Sequence, residues 1–103
     1  MSIQLGRLFL SGPPRLRIGE LNATEGATQL PEDDLRQALN RHLCGDWGDV
    51  PAEDAEANNQ ALVDGSRIVS AFATKDGTKF WIISDPVDDN GARTTTFLLP
   101  EEY

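Results

Sequence analysis

The sequence predicts an α+β fold: a helical hairpin packed on a small, mostly antiparallel β-sheet, within a single domain over residues 1–103. Three observations predict it. Two neighbouring segments, 30–45 and 49–65, each carry a proline near the start and a glycine at the end, the punctuation of helices. Residues 67–84 read as two apolar strands around Asp76-Gly77, a strong hairpin signal. A Thr-rich stretch at 93–100 supplies a third strand and completes a meander.

Taken in order, "IQLGRLFL" (3–10) reads as a short strand ended by Ser11-Gly12-Pro13-Pro14. "RLRIGEL" (15–21) alternates less regularly and is a weaker strand, and 22–29 is loop-like. In the first helix Pro31 suits the opening turn. Glu32, Asp33 and Asp34 complement the positive end of its dipole. Leu35, Ala38, Leu39, His42 and Leu43 fall on one stripe, and Gly45 is a left-handed stop. In the second helix Asp49 is placed to cap, Pro51 sits in the first turn, and Ala55, Leu62 and Asn58 or Asn59 share a face. A two-residue turn at Asp76-Gly77 pairs Ala73 with Phe80, Phe72 with Trp81 and Ala71 with Ile82. That register puts Phe72, Trp81 and Ile83 on one face of the sheet.

Composition narrows the function classes. Hydrophobic residues at 39% and charged residues at 25% are those of a folded chain rather than a disordered one. The net charge is −8, and residues 31–66 alone carry −7. A surface of that sign disfavours direct contact with nucleic acid or anionic membranes, both of which need clustered Lys and Arg. It favours a protein partner with a basic surface. The apolar runs are too short to span a membrane, and "MSIQLGRLFL" lacks the features of a signal peptide. With one cysteine, Cys44, a cytoplasmic location is expected.

The densest cluster of chemistry-bearing residue types is "RHLCGDWGDV" (41–50). A metal site is not expected: His42 and Cys44 are the only residues of their types, and no zinc-ligand spacing is present. Cys44 and His42, two apart on a helix, point to different faces and do not form a catalytic pair. No phosphate loop, dinucleotide fingerprint or nucleophile elbow is present, so no cofactor is expected. The segment reads instead as a corner. Trp47 is buried there, and His42, Asp46, Trp47 and Asn58 or Asn59 form a polar structural cluster, with a charged His42 paired to Asp46.

Several pieces together resemble a family of small proteins of unassigned activity carried on bacterial plasmids and other mobile elements. They are Arg41-His42, Gly45 to Asp49, Asn58 or Asn59, Gly65, Arg67, Ser70, Asp76 to Lys79, Trp81 to Ile83 and Thr95 to Tyr103. The resemblance covers roughly residues 38–103. Where that family runs "TEADRS" into the last strand, this chain has the longer "SDPVDDNGAR" (84–93). The resemblance implies a mobile-element protein. Joined to the acidity, the expectation is a non-catalytic binding protein that inhibits a host DNA-targeting defence system, of anti-restriction or anti-CRISPR type, by mimicking DNA. Glu32, Asp33, Asp34, Asp49, Glu53, Asp54 and Glu56 are the candidate binding residues. Two alternatives stand beside it. One is an interaction module that dimerises through exposed Phe72, Trp81 and Ile83. The other is a small enzyme centred on His42, Asp46 and Arg67, which requires a cleft with His42 open to solvent.

Overall fold

A computed structural model describes residues 13–103 of the chain. The class is the expected α+β, with a four-stranded sheet. The first strand, β1, spans Ile18–Ala23, and the helices α1 and α2 span Glu32–Leu43 and Ala52–Asp64. Strands β2, β3 and β4 span Ile68–Ala73, Lys79–Ser84 and Arg93–Leu98. Single 3₁₀ turns lie at Ala27–Gln29 and Pro100–Glu102. The strand expected at 3–10 lies outside the described residues.

The sheet order is β1-β4-β3-β2. The last three strands form the antiparallel meander, and β1 joins β4 in parallel, with a register shift between Ile18 and Leu21. A parallel pair needs a long crossover. Here the two helices and the β2–β3 hairpin together provide it. The weak strand reading at 15–21 thus becomes a real strand displaced toward the loop-like residues, reaching Ala23.

The hairpin register is one residue away from the expected one. Phe72 pairs with Phe80, Ala71 with Trp81 and Ser70 with Ile82. The turn holds three residues rather than two. The Thr74 N–H donates to the Thr78 carbonyl at 2.9 Å, and the Gly77 N–H donates to the Thr74 carbonyl at 2.9 Å. Gly77 takes φ +92°, the left-handed position of a three-residue loop. Asp76 explains the choice: its carboxylate accepts from the Thr74 hydroxyl and from both the N–H and the hydroxyl of Thr78. Those bonds lower its pKa, with the Thr74 hydroxyl contributing most.

A one-residue slip exchanges faces. One face carries Ile68, Ser70, Phe72, Phe80, Ile82, Ser84, Thr95 and Phe97, all buried. The other carries Val69, Ala71, Trp81, Ile83, Thr96 and Leu98. Phe72 therefore does not share a face with Trp81 and Ile83.

The α1 stripe is as read: Leu35, Ala38, Leu39, His42 and Leu43 are all buried. With Trp47, Ala61 and the first sheet face they form the core. In α2 the buried positions are Asn58 and Ala61, with Ala55 and Leu62 partly buried beside them. Each helix rests on β2. Asp49 does not cap α2: Pro51 is the N-cap, no side chain caps it, and the Asp49 N–H is committed to the Ala71 carbonyl. Gly65 ends α2 at φ +83° as expected.

Candidate functional site

The corner between the helices is built against the outer edge of β2. Ala71 donates its N–H to the Trp47 carbonyl at 3.1 Å and accepts from the Asp49 N–H at 2.8 Å. Gly48 forms the parallel bridge to Ala71. A Cβ on Gly48 would stand 2.0 Å from the Ala71 carbonyl oxygen, and its φ is +71°, so only glycine fits. One residue pair further along, the Asn58 amide covers Val69. Its Nδ2 donates to the Val69 carbonyl at 2.8 Å, and its Oδ1 accepts from the Val69 N–H at 3.2 Å. A side-chain amide thus stands in for a strand and closes an edge that otherwise invites another chain.

Under this corner lies a buried polar chain. His42 is 0% exposed. Its Nδ1 is 2.6 Å from the Ser70 hydroxyl and its Nε2 2.8 Å from the Ser84 hydroxyl. Ser84 meets Thr95 at 2.8 Å, and the Thr95 hydroxyl donates to the Arg93 carbonyl at 3.3 Å. That last bond orders the protons. Thr95 donates to a carbonyl, so it accepts from Ser84. Ser84 then accepts from His42 Nε2–H, and Ser70 donates to Nδ1. His42 is therefore the neutral Nε2–H tautomer. Burial, followed by the positive charge of Arg93, pushes its pKa from 6.5 down to about 3.

Arg93 is buried as well, at 3% exposed. Its guanidinium donates to the carbonyls of Ala61 at 3.0 Å, Asp85 at 3.2 Å, and Ser66. Ala61 lies in the last turn of α2, so the charge is also held by the negative end of that helix dipole.

The expected polar cluster of His42, Asp46, Trp47, Asn58 and Asn59 is divided among separate tasks. His42 is not charged and not paired with Asp46. Asp46 instead accepts from Arg41 at 2.8 and 3.4 Å and from the Gly48 N–H at 3.1 Å. Those bonds, Arg41 first, lower its pKa. Trp47 is buried at the corner, edge-on to His42, and its Nε1 donates to Asn59 at 3.0 Å. Asn58 serves β2. The bonding of His42 to Ser70 and Ser84 joins residues far apart in the chain; Ser70 stands among the residues of the family resemblance, but nothing in the sequence ties either serine to His42.

The acidic residues also separate. Glu32 and Asp33 lie 3.8 and 2.8 Å from the Arg36 guanidinium, and Asp34 accepts from the Lys75 N–H at 3.4 Å. Glu53, Asp54 and Glu56 are exposed along the first turns of α2, with Asp49 just before it, and none of these four forms an ion pair among the described residues.

A groove of about 470 Å³ opens beside these carboxylates. It is lined by Asp49 and Pro51 from the corner, Asp54 and Asn58 from α2, Val69, Ala71 and Trp81 from one face of the sheet, and Arg67 and Tyr103. The Trp81 and Tyr103 rings meet edge to face at 5.6 Å, and the Arg67 guanidinium lies 5.4 Å from the Tyr103 ring centre. Neither the sheet face of Trp81 nor the place of Tyr103 was readable without the register. Among the described residues no three His, Cys, Asp or Glu side chains gather as a metal site. No helix there is long and apolar enough to cross a membrane.

Compared with family models, curated proteins and solved structures, the chain gives no match.

Proposed function

We propose that the protein is a non-catalytic binding protein that engages a partner with a basic surface through the acidic start of α2. The observation that carries this reading is the set of exposed carboxylates at Asp49, Glu53, Asp54 and Glu56, none in an ion pair among the described residues. The helix dipole accommodates acidic groups at this end. Yet Glu53 and Glu56, three apart, repel each other by about 0.2–0.5 kcal/mol, a cost that an approaching cation relieves. Exposed carboxylates on and just before a helix also supply the negative charge a DNA mimic needs, and a DNA-binding channel of a host defence enzyme is the partner class we assign on that ground.

The two alternatives fit less well. Catalysis centred on His42 needs solvent access, and His42, Ser70 and Ser84 are each 0% exposed. Arg67 lines the groove and Asp46 faces Arg41, so the three proposed groups do not converge. Dimerisation through an exposed Phe72, Trp81 and Ile83 face is opposed by the burial of Phe72 and Ile83, at 4% and 7% exposed. The test is retention of a basic protein from a bacterial lysate at low ionic strength, with wild type and Glu53→Gln/Glu56→Gln compared. Retention that the double variant loses supports the reading; equal retention by both contradicts it.

A further inference from the structure

The groove has a feature that acidity does not account for. It is lined by charges of both signs: Asp49 and Asp54 from the corner and the start of α2, and Arg67 from just before β2. These three groups form no ion pair with each other or with any other described residue. Between them lies an apolar surface of Val69, Ala71 and Trp81. Arg67 lies over the Tyr103 ring, yet no described carboxylate meets its charge; a purely cationic ligand would leave that charge unmatched, and a purely anionic one would leave the two carboxylates so. A ligand with both charges, separated by an apolar body, satisfies all three.

The spacing sets the length of that ligand. Asp49 is level with Ala71, to which its N–H is bonded. Arg67 immediately precedes β2. Four residues of strand at about 3.3 Å each place the two levels roughly 13 Å apart. The lengths of an Asp and an Arg side chain are enough to take up part of that distance. A free amino acid is too short for it, whereas an extended chain of two or three residues covers about 7–11 Å. The volume, about 470 Å³, is that of a small-ligand pocket.

We propose that this groove binds a short zwitterionic peptide, with its amino end toward Asp49 and Asp54, its carboxylate on Arg67, and its apolar side chains against Trp81. The groove shares Asp49 and Asp54 with the acidic surface assigned above, whereas Glu53 and Glu56, the two positions varied in the test of that surface, do not line it, so the two readings fail separately.

The experiment follows the Trp81 indole N–H by NMR while Ala-Ala-Leu is added to the full chain, then its N-acetylated and C-amidated forms. The expected result is a saturable shift with the free peptide and a loss of about ten-fold or more in affinity on blocking either end, the usual worth of a charge-assisted bond. Arg67→Gln removes the preference for a free carboxylate, and Asp49→Asn/Asp54→Asn removes that for a free amine. None of the three side chains makes a hydrogen bond among the described residues, and the amide spectrum reports folding in each variant. No saturable shift up to about 10 mM, or equal binding of the blocked forms, overturns the proposal. Equal or tighter binding of a C-amidated tri-arginine also overturns it, and gives the groove to the basic partner instead.

Discussion

His42 occupies the point where the α1 stripe meets β2 and β3, and its neutrality has a measurable consequence. In the unfolded chain it takes a proton near pH 6.5, and in the folded protein only near pH 3. Between those values the unfolded state binds the extra proton. Stability is therefore complete above pH 6.5 and falls as acid is added. From pH 7.5 to pH 5 the loss is about 2 kcal/mol, read as a fall in the urea midpoint, and His42→Gln flattens that slope. Below about pH 4 the carboxylates with lowered pKa, Asp46, Asp76 and Glu102 among them, contribute further loss. The ordered hydroxyl chain also predicts the Nε2–H tautomer, which long-range ¹⁵N–¹H correlation distinguishes; a proton on Nδ1 contradicts the assignment. The inward position of His42 was legible from its stripe. Its partners were not, because they sit 28 and 42 residues away and depend on the sheet register.

At the scale of elements, the helices were legible because each carries its own periodicity and its own stop. The hairpin's existence was legible too, but its register turned on one side chain, Asp76, whose bonds to Thr74 and Thr78 fix a three-residue loop. The parallel seat of β1 was not legible, since Gly19 and Glu20 break its alternation and its partner lies more than seventy residues on. The corner "GDWGD" reads as a turn from its two glycines, and it is one. Its further task of closing the β2 edge needed the sheet to be present. That task predicts two losses in denaturant stability. Gly48→Ala costs about 2–4 kcal/mol, from the clash with the Ala71 carbonyl and the strained φ. Asn58→Asp costs about 1–3 kcal/mol, because a carboxylate has no donor for the Val69 carbonyl and leaves it unpaired. If either variant keeps the wild-type urea midpoint, the edge is not held as described.

For the whole molecule, the charge asymmetry was visible in the sequence, and the structure sorts it. The acids of α1 are partly met by Arg36 and by the Lys75 N–H, while those at the start of α2 are exposed and form no ion pair among the described residues. The candidate groove was invisible beforehand, because it joins residues from α2, β2, β3 and Tyr103 that no spacing brings together. An electrostatic partner interface is expected to weaken as salt rises through the physiological range. The most direct measurement is a salt-gradient elution of lysate proteins from immobilised wild type and from Glu53→Gln/Glu56→Gln, run side by side. The account predicts a basic, DNA-binding protein that is held by wild type, released as ionic strength rises, and released at clearly lower salt from the double variant. The same elution position on both columns would contradict it.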